Sequence, residues 1–334
     1  MKMKGLRVGL TYDLAKDYEL GSNDPKDKYL EFDNRRIIGG VAGAIKNMGH
    51  AVVDIGNFGQ LLEKQKTVKN SVDIVFNLAE GLEGRNRESQ VPIMLEYLGV
   101  PYVGSDALTM GLTLDKVVAK KMFTVAGVPT PRYITTLQSL GEEDCAALGG
   151  WPLIVKTRWE GSSKGITAKS KVKNLAQLND QIKHIVTTYR QPALVEEFVS
   201  GREFTVGIIG SGDQAYALPA VEIRIRGEDV GDRIYVGRYV YTNDAEYICP
   251  VPEEDLGKEI EDLAMTAYRA VDCQDFGRVD VRMDAAGHRY VLEVNPLPAL
   301  SRQDVFGVIA ETLGLSYQQM VQKVLAAGIE RLRL

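Results

Sequence analysis

Short apolar runs separated by amphipathic segments dominate the first part of the chain. The runs that predict strands are 6–10 (LRVGL), 51–55 (AVVDI) and 72–76 (VDIVF). Between the first two, apolar residues recur at helical spacing from Ile37 to Met48, and the pattern stops at Gly49. A further helix is expected before the third strand. Strands alternating with helices predict a parallel sheet with crossover helices, in an N-terminal α/β domain placed at residues 1–112.

The pattern then changes. A helix over about residues 115–126 is closed by Gly127 and the breaker VPTP, and short strands alternate with helices beyond it. Longer alternating runs follow at 202–209 and 276–283, and the chain ends in a pair of helices. We therefore expect two α+β lobes that pack with the first domain around a shared cleft. The predicted lobes cover residues 113–192 and 193–334.

Composition narrows the class of protein. The chain has 334 residues, of which 45% are hydrophobic and 25% charged, as in ordinary globular proteins of more than one domain. A formal net charge of -5 gives no general attraction for nucleic acid or an anionic membrane, so a nucleotide is a better candidate ligand than a polymer. The N-terminal apolar stretch is too short for a signal peptide, and no later run reaches the roughly 20 apolar residues of a membrane span. We expect a cytoplasmic protein.

Cysteines and histidines are few and scattered. The three cysteines show no CxxC spacing, so we expect buried apolar thiols and neither a disulfide framework nor a zinc site. The three histidines do not cluster, which leaves a histidine-based metal site or triad little support. These residues are Cys145, Cys249, Cys273, His50, His184 and His288. The chemistry must rest on carboxylates, lysines, arginines and backbone amides.

Three oxygen-bearing side chains stand on two apolar strand runs near the C-terminal end. Asp280 lies in GRVDVRMD, whereas Glu293 and Asn295 lie two residues apart in YVLEVNP and so face the same side of a strand. If the turn at 284–287 closes a hairpin, Asp280 lies opposite them, and the set suits one or two Mg²⁺ ions that also bind phosphate oxygens. The alternative is a solvated strand face. The apolar flanks favour burial, and a buried carboxylate needs a cation.

A glycine-rich loop follows a lysine-bearing strand. The strand ends at Lys156, and the loop 160–165 (EGSSKG) contains small residues whose backbone N–H groups can approach phosphate, with Lys164 adding charge. The GKS/T ending of a Walker loop is absent. An isolated loop of this kind would be an ordinary turn. The preceding lysine and the predicted magnesium site favour phosphate binding.

Charged residues also surround a third pair of strands. In LVEEFVSGREFTV, Glu196 and Glu197 end one strand and Glu203 begins the next. A carboxylate here could accept hydrogen bonds from ribose, and the backbone of 197–199 could contact an adenine edge, although each glutamate alone would be a surface charge. Arg278 should face the metal side and stabilise a transferring phosphoryl group or an oxyanion. The alternative for Arg278 is an ion pair with Glu293.

These segments together resemble a known family. The motifs LDKxxxK, IVKxxxxGSSxGI, VEEFxxGxEFTV, GRVDVR and LEVNPLP occur in that order, and LEYLGVPYVGSD precedes them at 95–106. Over about residues 71–305 the chain is similar to the D-alanine–D-alanine ligases, which are ATP-grasp enzymes. The resemblance implies an ATP-grasp fold of two α+β lobes preceded by a small parallel-sheet domain, with ATP held between the lobes.

The resemblance also implies roles for individual residues. ATP phosphates would bind Lys116, Lys156 and the loop Gly161, Ser162 and Ser163, while adenine and ribose would bind Glu196, Glu197, Val199 and Glu203. Two Mg²⁺ ions, or Mn²⁺, would bind Asp280, Glu293 and Asn295. The carboxylate of the second amino acid would bind near Pro298, Ala299 and Ser301. Arg278 would stabilise the acyl phosphate and contact substrate. With Lys156 and Ser162 it forms the predicted catalytic set.

The amino-acid half of the pattern departs from the family. The N-terminal GGxSxEREVS signature, whose glutamate binds the first amino group, is missing, and Glu31 or Asp33 would have to replace it. The HGxxGEDG motif is replaced by NLAEGLEGRNRES at 77–89. The loop 227–250 offers Arg238 and Tyr239 in place of the usual residues.

Three functions fit these observations. The first is a carboxylate-amine ligase for amino acids other than D-alanine, working through an acyl phosphate with release of ADP and phosphate. The second is a genuine D-alanine–D-alanine ligase of cell-wall synthesis, and the third is a nucleotide-binding protein without turnover. The rebuilt substrate motifs favour the first over the second, and the complete lysine and carboxylate set disfavours the third. The substrates would be small molecules, and the resemblance allows a homodimer.

Overall fold

A parallel sheet opens the chain in the computed structural model, which describes residues 5–32, 35–236 and 244–334. Its strands are β1 (Arg7–Tyr12), β2 (Ala51–Gly56), β3 (Ile74–Leu78) and β4 (Tyr102–Val103). They run parallel in the order β2-β1-β3-β4, which confirms the predicted sheet. The third strand starts two residues later than expected, because Asp73 first accepts a hydrogen bond from the Arg7 backbone N–H.

Helices cover both faces of this sheet. They are α1 (Arg35–Asn47), α2 (Phe58–Glu63), α3 (Val68–Ser71), α4 (Gln90–Leu98) and α5 (Ala107–Leu114). Ile74 and Phe76 pack towards α1, whereas Val75 packs with Leu61 and Leu95 on the other face. Alternate residues of β3 are therefore buried on opposite sides, which explains its unbroken apolar sequence.

A small antiparallel sheet follows α6 (Lys116–Val125). Its strands are β5 (Tyr133–Thr136), β6 (Leu153–Thr157), β7 (Lys171–Val172) and β8 (Ala193–Glu197), and its helices are α7 (Glu142–Ala147) and α8 (Leu175–Thr188). The strand order is β5-β8-β6-β7. Leu178, Ile182 and Ile185 recur along α8 at helical spacing and are buried against the sheet.

A larger antiparallel sheet carries most of the remaining strands. They are β9 (Gly201–Ile209), β10 (Tyr216–Ala217), β11 (Val221–Ile225), β12 (Glu228–Asp229), β13 (Ala245–Ile248), β14 (Phe276–Asp284) and β15 (Arg289–Asn295). The main order is β12-β11-β9-β14-β15, with β10 beside β9 and β13 beside β11. The helix α9 (Glu254–Ala270) covers one face through Ile260, Ala264 and Tyr268.

The last two helices return to the first sheet. They are α10 (Val305–Thr312) and α11 (Tyr317–Leu332). Although the predicted large lobe includes α11, this helix packs against α1, and Val324 and Leu325 share a core with Val8 and Leu10. Within the ranges given above, no helix has both the length and the apolar character that crossing a membrane requires.

Two of the cysteines are buried as expected. Cys145 and Cys273 lie inside the protein, whereas Cys249 is half-buried, and all three are free thiols. Their wide separation along the chain agrees with the absence of a CxxC pattern.

One ion pair with a buried carboxylate joins the first sheet to the large antiparallel sheet. Arg331 of α11 donates to both carboxylate oxygens of Asp275, at 2.7 and 2.8 Å, and to the carbonyl of Tyr102 at 2.9 Å. Asp275 also accepts from the Gly104 N–H at 2.9 Å, and its side chain is fully buried. The pair therefore connects α11, β4 and the start of β14.

We expect Arg331→Met to lower the free energy of unfolding by about 3 kcal/mol, because it leaves the buried Asp275 carboxylate without its cation. Urea denaturation of the variant, of Asp275→Asn and of the double variant measures the coupling between the two residues. Additive losses in the double variant would contradict the assigned role of the pair.

Candidate functional site

The sites predicted on the two lobes meet in one cleft. Lys116, the first residue of α6, places its Nζ atom 3.3 Å from Oε2 of Glu293 on β15. The same ammonium donates to the carbonyl of Glu160, at the start of the glycine-rich loop. One lysine therefore contacts both the predicted magnesium site and the predicted phosphate loop.

Asp115 fixes the start of α6. Its carboxylate caps the helix by accepting from the N–H groups of Val117 and Val118, at 3.1 and 3.3 Å. It also binds Arg158 of the small lobe at 2.8 and 2.9 Å and Arg85 of the N-terminal domain at 2.6 Å. The position of Lys116 is therefore set by a fully buried carboxylate that two domains neutralise.

A buried glutamate holds two lysines. Glu196 on β8 lies 2.7 Å from Nζ of Lys120 and 2.7 Å from Nζ of Lys156. Burial alone would raise the pKa of Glu196, but the two ammonium groups outweigh it and lower that pKa to about 2. The three groups carry one excess positive charge, and Lys156 is the most exposed of them. The trio therefore presents a cation suited to a phosphate group.

The other residues predicted to bind the nucleoside are also held in place. Glu197 accepts from Arg132 at 2.8 Å, and Glu203 accepts from Nε of Arg282 at 3.0 Å. Arg282 also donates to the carbonyl of Val199 at 3.0 Å. The sequence did not single out Lys120 or Arg282, although Lys120 is the last residue of the LDKxxxK motif.

The predicted metal ligands lie side by side on β14 and β15. Asp280 is paired with Glu293, and Arg278 with Asn295, in the register of the hairpin whose turn was expected at 284–287. Asp280 accepts from Thr205 on β9 at 2.7 Å and from Arg278 at 2.9 and 3.0 Å. The structure thus pairs Arg278 with Asp280 and not with Glu293.

The donor set fits magnesium. It offers two carboxylates and an amide oxygen. Burial raises the pKa of the half-buried Glu293, but Lys116, Arg278 and Lys156 outweigh burial and lower that pKa below its usual value. Glu293 is therefore ionised. Among the described residues no group of three or more His, Cys, Asp or Glu could hold a metal ion. Ions bound here would need further oxygens from phosphate.

The glycine-rich loop has the backbone of an anion-binding nest. Ser162 and Ser163 both have positive φ angles, 47° and 61°, in a tight turn of the kind that can bind an anion through successive N–H groups. The N–H groups of Lys164 and Ile166 donate within the loop, at 2.9 Å each. Those of Ser162 and Ser163 have no hydrogen-bond partner in the part of the chain that the structure describes. These two successive amides are therefore available to a ligand.

Glu31 lies beside this loop in a buried cluster of charges. It accepts from Arg87 at 2.9 and 3.0 Å, from Lys164 at 2.6 Å and from the Gly161 N–H at 2.7 Å. Its acceptor positions are filled, so a substrate ammonium would have to displace one of these donors. Of the other predicted substrate residues in the rebuilt loops, Asp33, Arg238 and Tyr239 lie outside the described residues.

The segment after β15 leads from the metal side into α10. Pro298 is buried, Ala299 is exposed, and the half-buried Ser301 donates its hydroxyl to Asp304. Pro298 follows Asn295 by three residues, so a ligand bound here would lie close to the predicted ions.

Comparisons with known proteins identify the family of this chain. The family model described as D-ala D-ala ligase C-terminus matches residues 122–326. A D-alanine–D-alanine ligase of Marinomonas sp. (strain MWYL1) is 34% identical, over 85% of this chain and 87% of its own. The chain belongs to the D-alanine–D-alanine ligase family. A ligase of the same name from Xanthomonas axonopodis pv. citri is also 34% identical, over 77% of this chain and 79% of its own.

Another relative has no described activity. The uncharacterized protein y4sG of Sinorhizobium fredii is 35% identical, over 89% of this chain and 88% of its own. The structure of D-alanine–D-alanine ligase from Bacillus anthracis complexed with ATP has a TM-score of 0.75 and covers 98% of both chains at 22% identity. The predicted ATP-grasp fold is confirmed. As a member of this family, the chain is an ATP-dependent ligase that joins a carboxylate to an amine.

The motif at 77–89, one of the segments that depart from the family pattern, places Glu88 in the buried cluster. Its carboxylate lies 3.6 Å from Arg87 and is nearly inaccessible. Burial and the charge of Glu31 raise the pKa of Glu88 to about 7, although Arg87, Lys116 and Lys164 act in the opposite direction. The cluster therefore contains a carboxyl group that titrates near neutral pH.

We expect Glu88→Gln to be progressively more stable than the native chain as the pH rises from 5 to 8. The folded protein binds this proton more tightly than the unfolded chain does, so deprotonation destabilises the native fold, by about 3 kcal/mol at most. Glutamine stays neutral and does not incur this loss. Urea denaturation of both proteins across this range measures the difference, and a difference independent of pH would refute the assignment.

Proposed function

We propose that this ligase activates the carboxylate of one amino acid and joins it to the amine of another, and that its substrates are not restricted to D-alanine. The observation that carries the ligase chemistry is the pairing of Asp280 with Glu293 opposite Lys116, close to the buried lysine pair on Glu196. Attack of the carboxylate on the γ-phosphate of ATP gives an acyl phosphate and ADP. The amine then displaces phosphate.

Residues of the two lobes would hold the nucleotide. Lys116 and Lys156 would neutralise phosphate charge, and the Ser162 and Ser163 amides, following Gly161, would donate to phosphate oxygens. The proposed adenine and ribose contacts are Glu196, Glu197, Val199 and Glu203. Of these, Glu196 would act mainly through Lys156, since its carboxylate is occupied by lysines.

Two magnesium ions would supply the positive charge that phosphoryl transfer needs. Asp280, Glu293 and Asn295 would hold them, and the ions supply positive charge that stabilises the transferring phosphoryl group. Mn²⁺ has similar ligand preferences and is an alternative.

Arg278 would act on the substrate side. Its guanidinium is oriented by two hydrogen bonds to Asp280, and its other N–H groups have no acceptor among the described residues. These groups would stabilise the oxyanion of the tetrahedral intermediate. The segment with Pro298, Ala299 and Ser301 would bind the carboxylate of the second amino acid. Closing of the loop over the site would exclude water, to which an acyl phosphate is vulnerable.

The rebuilt loops favour substrates other than D-alanine. The only described candidate for the missing amino-group ligand, Glu31, is already occupied by Arg87 and Lys164. The names of several relatives favour the alternative, a genuine D-alanine–D-alanine ligase. Both readings share the ATP site.

We also propose the three-domain division 1–112, 113–192 and 193–334, a cytoplasmic location where ATP is available, and a homodimer. Exposed apolar side chains in the N-terminal domain support the dimer. Ile93 and Tyr97 lie one turn apart on α4, and Leu108 of α5 is also exposed, at 55%, 83% and 75%.

We expect phosphate release from ATP and Mg²⁺ only with particular amino acids, tested as D and L forms singly and in pairs with mass spectrometry of the products. Asp280→Asn should lower kcat about 10³-fold, because it weakens charge stabilisation and frees Arg278. Asp262→Asn, the same change on the exposed face of α9, is the matched control and should leave kcat unaltered.

The product distinguishes the proposed function from the alternative, a D-alanine–D-alanine ligase. The D-alanine dipeptide would establish the alternative, and another product would establish the proposal. If ATP binds but no pair releases phosphate, the amino-acid ligase assignment fails.

A further inference from the structure

Residues 24–32 of the N-terminal domain form a segment, here called the strap, that contacts the phosphate loop near both ends of the loop. At one end, Oε1 of Glu31 accepts from the Gly161 N–H at 2.7 Å. At the other end, Oδ2 of Asp27 accepts from the Gly165 N–H at 2.8 Å. The strap lies in the part of the sequence that replaces the missing N-terminal motif.

The contacts are close and supported from other elements. A Cβ atom at Gly161 would lie 2.5 Å from Oε1 of Glu31, so a larger residue there would displace the carboxylate. Tyr189, the residue after α8, donates its hydroxyl to Asp27, at 3.0 Å from Oδ1 and 2.9 Å from Oδ2. The two carboxylates are therefore held against the loop by partners on two domains.

The two amides between these ends remain available. The strap occupies the N–H groups of Gly161 and Gly165, whereas those of Ser162 and Ser163 have no partner among the described residues. Both serines have positive φ angles, a conformation that costs free energy outside glycine and persists only where the surroundings impose it. Fixing both ends of the loop is a direct way to impose it.

The charge of Glu31 does not oppose an anion in the loop. Burial would raise the pKa of Glu31, but Arg87 and Lys164 outweigh burial and lower that pKa below its usual value. The group is therefore ionised and lies between two cations, which it shares with Glu160. The Asp27 carboxylate is half-buried and binds two donors.

We propose that Asp27 and Glu31 are positioning residues that hold the phosphate loop in its nucleotide-binding conformation from the N-terminal domain. The proposal rests on the proposed function in that the loop binds ATP phosphates. It makes ATP affinity depend on a segment that does not touch the nucleotide. Movement of the N-terminal domain would then weaken ATP binding directly.

The test uses Asp27→Ala in the full chain, with Asp24→Ala as matched control, because Asp24 lies on the same strap but pairs with Lys28 and not with the loop. We expect the Asp27 variant to bind a non-hydrolysable ATP analogue about 10-fold more weakly, with a smaller change in kcat. Glu31→Gln should weaken binding as well, since a neutral side chain cannot hold both Arg87 and Lys164. Asp24→Ala should bind like the native chain.

Amide hydrogen exchange of residues 161–165 without nucleotide gives a second readout. The loop should exchange faster in the Asp27 variant and be unchanged in the Asp24 variant, with thermal unfolding confirming that each variant is folded. Unchanged exchange and affinity would overturn the proposal, as would tighter binding, which would mean that the strap competes with phosphate. Normal nucleotide binding without ligase turnover in the native chain would count against the proposed function and leave the strap standing.

Discussion

The pairing of β14 with both β9 and β15 is the constraint on which the site depends. Its register sets Asp280 against Thr205 on one side and Glu293 on the other. A one-residue slip would turn these side chains to the opposite face, into the apolar layer beneath α9. The same register buries Val279, Val281 and Val294 on that layer, so the core and the site are specified together. An apolar core that fits only one register thus fixes the polar groups as well.

Buried carboxylates paired with cations are the second constraint on the cleft. Asp115, Glu196 and Glu31 are each buried, and each is neutralised by two cations that come from separate parts of the chain. A buried carboxylate of this kind is costly alone and specific when paired. The ion pairs therefore determine how the lobes meet as well as where the lysines point.

The fold could be predicted from the sequence because its signals are local, and so could the grouping of the candidate metal ligands on one sheet face. Alternating apolar residues marked β9 and β14, and spacing by two placed Glu293 and Asn295 on one face. The pairing of Arg278 with Asp280, two residues away on the same strand, was open, since a neighbouring strand offered an equal partner. Lys120 could not be distinguished from a surface lysine until β8 placed Glu196 beside it. Contacts between distant segments, such as Glu31 with Gly161, leave no periodic trace.

The return of α11 to the first sheet has a consequence for how this protein can be divided. Its apolar residues Val324 and Leu325 complete a core that begins with Val8 and Leu10, and Asp275 and Arg331 join that core to the large sheet. A fragment cut at 112 would therefore expose an unpaired apolar face on both pieces. The C-terminal helix completes the core of the N-terminal domain, so an isolated lobe would have a different apolar core from the one that it has in the whole chain.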